Sequence, residues 1–284
     1  MMIKNLSKAV LELYERTATD LPKDVERRIK DAMAKEKNKD ARDILGILIQ
    51  NVSLARKEKT PICQDTGTPI FYVYYPSKYS QREIKNEILK ATKTATAKFL
   101  RKNAIDALTG KTIGNLPLMH FEEWGKKYLK ISLMLKGGGS ENIGMVYKLP
   151  NNELNADRDL KGVEKCAIDA VYRAQGFGCP PYILGIGIGG SIESSYEEGK
   201  KQLFRKIDDV NRENELKKLE NGLLLKLNKL GIGPSGLGGK TTALAVKISA
   251  LPRHPASFFV AVVFSCWALR RHSLEYRSGN FKIA

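Results

Sequence analysis

The sequence predicts an α+β protein in which helices flank a small, mainly antiparallel sheet within a single large domain, residues 1–284. Three observations carry that expectation. Up to about Lys59 the apolar residues recur at the helical period, as in Val10, Leu11 and Tyr14 and again in Ile44, Leu45, Leu48 and Ile49. Short runs of aromatic and branched residues then interrupt the helical stretches in the manner of strands. Neither an internal repeat nor a low-complexity linker divides the chain, so the elements are expected to interleave in one unit.

Taken in order, several helices come first. "PIFYVYYP", from Pro69, reads as a strand, Ser80 to Arg101 as a helix and "LTGKTIGNLP" as a loop. In the segment from Lys126 to Pro150, two strands flank a turn at Gly137 to Gly139. A helix from about Asp159 to Gln175 precedes the strand and loop "CPPYILGIGIGG". Charged helices occupy roughly Ser191 to Leu230, and the final third is expected to end in mixed strand and helix.

A hydrophobic content of 42% is enough for a buried core in a chain of 284 residues. The amino terminus is amphipathic and charged, without the unbroken apolar segment of a secretory signal. The run from Phe258 to Leu269 is interrupted by Ser265 and falls short of the roughly 18 residues of a membrane span. A cytoplasmic protein with no membrane association is expected. The net charge of +17, from 48 Lys and Arg against 31 Asp and Glu, suits an anionic partner or substrate. Acids accompany the bases in "ERRIKDAMAKEKNKDARD", however, which is the pattern of a solvated helix face, and no nucleic-acid partner is expected.

Two glycine-rich loops invite a nucleotide-binding reading. "GPSGLGGKTT" resembles a phosphate cradle around Lys240, but the first glycine of the phosphate-loop pattern would fall at Pro234, which has no N–H to donate. "LGIGIGGS" fits the dinucleotide fingerprint through Gly185, Gly187 and Gly190, with Asp208 and Asp209 at the distance where a ribose-binding acid belongs. Those two acids lie in a charge-dense helical stretch and not at the end of an apolar strand, which argues against that fingerprint.

The chain has four cysteines. Cys166 sits in the helical "GVEKCAIDAVYRAQG" among Val163, Ala167 and Val171 and reads as a buried structural thiol. Cys63 in "TPICQDTGTP" and Cys179 in "GFGCPPY" occupy turn-like settings, and Cys266 lies in "FSCWALRRH". Backbone donors exposed in such turns stabilise a thiolate or the sulfurs of a cluster. Their spacing matches none of the local zinc or ferredoxin patterns, so three unrelated free thiols are the alternative.

The wording around the cysteines narrows the choice. "CQDTGTPIF", "KGGGSEN", "GCPPYILGIGIGGSIE", "GLGGKTTALAVKI" and "RHPASFFVAVVFSCWALRRH", in this order, closely resemble the amino-terminal half of the class I fumarases and the α subunit of L-tartrate dehydratase, the iron–sulfur-dependent hydro-lyases. The resemblance runs from about Leu6 to the end. It implies an oxygen-sensitive 4Fe-4S cluster held by Cys63, Cys179 and Cys266, with Cys166 matching no ligand. It further implies that Gln64 and Asp65 contact substrate, Asp65 taking part in proton transfer. By the same resemblance Arg101 binds a substrate carboxylate, His254 orients substrate or assists acid–base chemistry, and backbone donors of Gly137, Gly138 and Gly139 approach the substrate. The implied reaction is the reversible hydration of fumarate to L-malate, a step of the tricarboxylic acid cycle, with dehydration of L-tartrate to oxaloacetate as the alternative and mesaconate as a further candidate. The chain stops at Ala284, before the carboxy-terminal domain of the longer members, so the resemblance implies a separate β subunit in paired heterodimers, α2β2. A nucleotide-binding protein using the glycine loops is the alternative from a different class.

Overall fold

A computed structural model describes residues 3–284. In chain order the helices and strands are α1 (Leu6–Thr19), α2 (Lys23–Lys35), α3 (Lys39–Glu58), β1 (Thr68–Tyr75), α4 (Gln81–Lys98), β2 (Ala104–Ile105), β3 (Thr112–Gly114), β4 (Leu118–Glu123), β5 (Leu129–Lys136), α5 (Gly138–Asn142), β6 (Met145–Lys148), α6 (Leu160–Ala174), β7 (Tyr182–Gly189), α7 (Ile192–Gln202), α8 (Asn214–Asn228), β8 (Ala243–Leu251), β9 (Phe259–Ser265), β10 (Arg270–Arg277) and β11 (Asn280–Ile283). The fold is α+β. The chain forms two compact units, each assembled from separated stretches. One unit comprises the residues up to Pro22, Asn51–Gly138 and Arg270–Ala284; the other comprises Lys23–Gln50 and Gly139–Leu269.

The first unit is built on a sheet of order β11-β10-β5-β1-β4, antiparallel except for the β1–β4 pair. Its core joins Leu6, Val10, Leu13 and Tyr14 of α1 and Ile84 and Ile88 of α4 to Phe71, Ile131, Leu133 and Leu274 of the sheet. The helical residues recur every three or four positions and the strand residues every second, so each element turns one face inward. Each such large apolar side chain contributes about 1.5–3 kcal/mol on burial. Ser80 caps α4 by accepting a hydrogen bond from the Glu83 N–H.

The second unit has a sheet of order β6-β9-β7-β8 in which only β7 and β8 run parallel. Leu184, Ile186 and Ile188 of β7 share a core with Val163, Ala167 and Val171 of α6 and Leu219 and Leu223 of α8. The alternate positions Gly185 and Gly187 face α7. Asp159 caps α6, and Ser191 and Ser194 form a reciprocal capping box at the start of α7.

Four local expectations are corrected. The single small sheet is two sheets plus the β2–β3 ribbon. The strands around Gly137 to Gly139 are not a hairpin, because residues 138–142 coil into α5, β5 pairs with β1 and β10, and β6 pairs with β9. Helix α4 stops at Lys98, where Phe99 leaves helical geometry, so Arg101 lies beyond it. After β8 the described chain is all strand and loop, with no helix in the final stretch where a mixture was expected.

Candidate active site

In the first unit Cys63, Gln64 and Asp65 form a bend just before β1. It is anchored upstream, where the Ile62 N–H donates to the Ala18 carbonyl (2.9 Å) and Asn51 Nδ2 donates to the Ile62 carbonyl (2.9 Å). Downstream, Gly67 has a φ of +82°, and a β-carbon there would meet the Leu135 carbonyl carbon at 2.7 Å, so the turn needs glycine to lie against β5. Cys63 is half-buried and Gln64 exposed. Asp65 is fixed at both oxygens: Oδ1 accepts from the Gly67 N–H (2.9 Å) and Oδ2 from the Gly138 N–H (2.7 Å). The Gly138 donor expected to approach substrate is thus directed at Asp65.

Arg101 follows α4 in a segment that is neither helix nor strand. Its main-chain N–H donates to Thr66 Oγ1 at 3.1 Å and its carbonyl accepts from Asn115 Nδ2 at 2.8 Å. The exposed guanidinium makes no ion pair among the described residues, which leaves its planar fork available to a carboxylate. Sequence reasoning missed the surrounding polar groups, Thr66, Asn103, Asn115 and Arg270. Arg270 is 1% exposed, and its Nη1 donates to the Asp65 carbonyl at 2.8 Å while Nε has no partner among the described residues. Two adjacent arginines in "WALRRH" were the available signal, but nothing local tells a buried guanidinium from a solvated one.

In the second unit Cys179 and Cys266 come together. Cys179 is exposed, with φ +57°, in a loop closed by its own N–H donating to the Gly176 carbonyl (3.2 Å). The Trp267 N–H donates to the Cys179 carbonyl at 3.2 Å, tying the residue after Cys266 to this loop, and Ser265 Oγ donates to the Cys266 carbonyl at 3.1 Å. Tyr182 braces the loop from within, donating from its hydroxyl to the Gln175 carbonyl (2.6 Å) and accepting from the Gly178 N–H (3.2 Å). Burial, reinforced by the two neighbouring cysteine sulfurs, pushes its phenol up to about 12.

Cys166 is different in kind. It is fully buried in the α6 core, where desolvation and then the charge of Asp169 push its thiol up to about 12, so it stays protonated at neutral pH and is a poor ligand. Cys63, Cys179 and Cys266 all lie in loops, Cys179 exposed and the other two half-buried, so none is sealed in a core as Cys166 is. No group of three or more His, Cys, Asp or Glu is assembled at metal-binding distance among the described residues. His254 is exposed in the β8–β9 loop, where its Nδ1 accepts from the Ala256 N–H at 3.1 Å, so in the neutral ring Nε2 carries the proton and is a donor.

The glycine loops are engaged internally. The Lys240 N–H donates to Glu36 Oε2 (2.7 Å), Gly238 N–H to the Ile232 carbonyl (2.9 Å), Ser235 N–H to the Pro180 carbonyl (2.8 Å) and Thr242 N–H to Asn228 Oδ1 (2.8 Å), so these donors are not aimed at a phosphate. Glu36 is 5% exposed, and its other oxygen accepts from the Lys37 and Asn38 N–H groups. In "GIGIGG", Gly185 and Gly187 face the backbone of α7, and β7 is antiparallel to β9, unlike a dinucleotide-binding sheet. Asp208 pairs with Arg27, and Asp209 with Arg205 (2.9 Å) and Lys247 (2.7 Å).

Among the described residues no helix is long and apolar enough to cross a membrane. Comparison with known proteins gives a consistent result. Residues 7–275 match the family model for fumarate hydratase (fumerase). A Geobacillus stearothermophilus protein provisionally named a class I fumarate hydratase is 44% identical over 281 residues, covering 95% of this chain and 54% of the relative. The chain therefore spans about half the length of that relative. A Methanocaldococcus jannaschii protein provisionally named an L(+)-tartrate dehydratase subunit alpha is 35% identical over 277 residues, covering 94% of this chain and 95% of the relative. The L(+)-tartrate dehydratase subunit alpha of Escherichia coli K12 is 29% identical over 280 residues, covering 96% and 91% respectively.

Proposed function

Because this chain belongs to the fumarate hydratase family, we propose that residues 1–284 form the cluster-binding α component of a hydro-lyase that reversibly adds water to fumarate to give L-malate. The observation that carries the reading is the sorting of the thiols: Cys166 is sealed in a core, while Cys63, Cys179 and Cys266 stand in braced loops. Those three hold the cluster as thiolates. When bound, a 4Fe-4S cluster with three protein ligands leaves one iron open to act as a Lewis acid toward a substrate hydroxyl and carboxylate.

The remaining residues act on the rest of the dicarboxylate. Arg101 clamps a carboxylate through its fork of N–H donors. Gln64 and the Gly137 to Gly139 segment contact substrate, and the Asp65 carboxylate, held in orientation by two amides, exchanges the proton on the carbon that gains or loses hydrogen. His254 presents Nε2–H to orient the substrate or assist that exchange. A separate β subunit completes the site in an α2β2 assembly, and the protein works in the cytoplasm.

L-Tartrate dehydration to oxaloacetate is the second reading. It is favoured by the relatives named as tartrate dehydratase α subunits, which match almost end to end, whereas the fumarate hydratase relative extends well beyond the matched region. The test is anaerobic reconstitution with iron and sulfide in the presence of the co-expressed partner, assayed with fumarate and with L-tartrate. Wild type and Cys166→Ser should both bind about four irons per chain, while Cys63→Ser, Cys179→Ser and Cys266→Ser each fail to. Equal iron loss in Cys166→Ser would remove the ligand assignment. Equal thermal protection by ATP or NAD in place of a cluster would favour nucleotide binding.

A further inference from the structure

The segment carrying Arg101 is held to the Cys63–Asp65 bend by three side chains that no relative's name accounts for. Thr66, 2% exposed, sits at the centre: its Oγ1 accepts from the Arg101 N–H (3.1 Å) and from Asn103 Nδ2 (2.9 Å). Asn103 directs its second Nδ2 hydrogen to the Gly67 carbonyl (3.2 Å) and its own N–H to Asn115 Oδ1 (3.3 Å). Asn115 in turn donates from Nδ2 to the Arg101 carbonyl (2.8 Å) and to Thr96 Oγ1 (3.0 Å) on α4.

Both main-chain polar groups of Arg101 therefore end on side chains of this network, and its other end is the turn whose Asp65 is fixed by Gly67 and Gly138. Among the described residues no hydrogen bond or ion pair holds the Arg101 side chain itself. Its aim is set wholly by where the network puts its backbone. We propose that Thr66, Asn103 and Asn115 are positioning residues that hold the carboxylate clamp of Arg101 in register with the Asp65 carboxylate, a role that rests on the functions assigned above to those two residues. A dicarboxylate gains from such a tie because clamp and proton carrier are already ordered when it arrives.

The experiment compares wild type with Thr66→Val, Thr66→Ser, Asn103→Asp and Asn115→Ala. Amide hydrogen exchange on the full chain without substrate reads the tie directly. The iron content of the reconstituted complex, and its KM and kcat for fumarate and L-tartrate, read the consequence. Thr66→Val removes the shared acceptor while keeping the shape, and should speed exchange at Arg101 about five- to tenfold and raise KM by a similar factor, with iron content unchanged. Thr66→Ser restores the oxygen and should restore both. Asn103→Asp, which keeps the acceptor but loses both donors, should behave like Thr66→Val, and so should Asn115→Ala. Unchanged exchange and KM in Thr66→Val would overturn the proposal, as would a serine variant as impaired as the valine one, or a rise in KM that merely tracks iron loss. A wild-type complex inert toward both dicarboxylates would overturn the functional reading and with it the purpose assigned here, and the substrate-free exchange data would show that failure to be separate from failure of the tie.

Discussion

Replacing Gly187 by alanine tests what the "GIGIGG" stretch is for. A β-carbon there would lie 2.0 Å from the Ser195 carbonyl oxygen and 2.8 Å from the Gly199 nitrogen, both backbone atoms of α7. Ordinary contact begins at 3.4 Å, so the gap to the oxygen must widen by about 1.4 Å. Strand β7 cannot retreat, because it is hydrogen-bonded to β8 on one side and β9 on the other. The displacement falls on α7, and overpacking of this kind costs about 1–3 kcal/mol; the upper end applies here because no side chain can rotate away. Gly222, inside α8 with no atom within 4 Å of its β-carbon position, is the internal control. Gly222→Ala should stabilise the protein by about 0.4–1 kcal/mol, since alanine restricts the unfolded chain and favours the helix. Urea titration followed by circular dichroism should therefore move the two midpoints in opposite directions. A Gly187→Ala protein as stable as wild type, yet deprived of thermal protection by a dinucleotide that wild type shows, would refute the packing argument and restore the cofactor reading.

Other consequences are simpler to check. Lys240→Ala should change stability by less than about 0.5 kcal/mol, whereas Glu36→Ala leaves the N–H groups of Lys37, Asn38 and Lys240 without their acceptor and should cost about 1–3 kcal/mol by urea denaturation. In the metal-free chain a thiol reagent should modify Cys63, Cys179 and Cys266 before unfolding and Cys166 only after it; mass spectrometry of the labelled peptides gives the order. The Cys166 thiol is raised from 9.0 to about 12 in the folded chain, so its contribution is fully present below about pH 9 and is lost as pH rises toward 12, because the unfolded thiol releases its proton first. Stability should fall across that window by up to about 1.4 kcal/mol per pH unit from this group, and Cys166→Ala should shallow the slope. Raised tyrosines such as Tyr182 and Tyr196 act in the same direction and remain in the variant.

Several local features of the candidate site were legible because their signals were local in sequence. Cys166 could be set apart from the other cysteines by the apolar residues at helical spacing around it, and it is indeed sealed in the α6 core. Pro234 was enough to count against a phosphate loop before Glu36 was seen to occupy the Lys240 amide. What escaped was set by contacts distant in the chain. No property of Asn103 or Asn115 announces that their amides meet around Arg101 and Thr66, and no pattern near Gly137 to Gly139 shows that β5 and β6 enter different sheets. The end of α4 was overrun because residues 99–101 lack a glycine or proline stop, and the helix closes instead on the Phe99 and Leu100 N–H groups, which both donate to the Ala95 carbonyl.

The glycine loops and the cysteine loops differ in what their polar groups are left to do. Buried backbone donors must be satisfied, and in "GPSGLGGKTT" they are satisfied from within, by Glu36, Ile232, Pro180 and Asn228. A phosphate there would have to displace a buried carboxylate from three amides, one of them Lys240's, with no new donors to gain. Around Cys179 and Cys266 main-chain bonds and the Tyr182 hydroxyl fix the loop path, and under the proposed function the cysteine side chains are the ligands. At Arg101 the same division holds: the network takes up the main-chain N–H and carbonyl and leaves the guanidinium fork open. Reactive side chains on backbones immobilised by other residues suit a site that grips a small ligand without rearranging, and under the proposed function that division points to the cysteine loops and Arg101, and not to the "GPSGLGGKTT" and "GIGIGG" loops, as the seat of the chemistry.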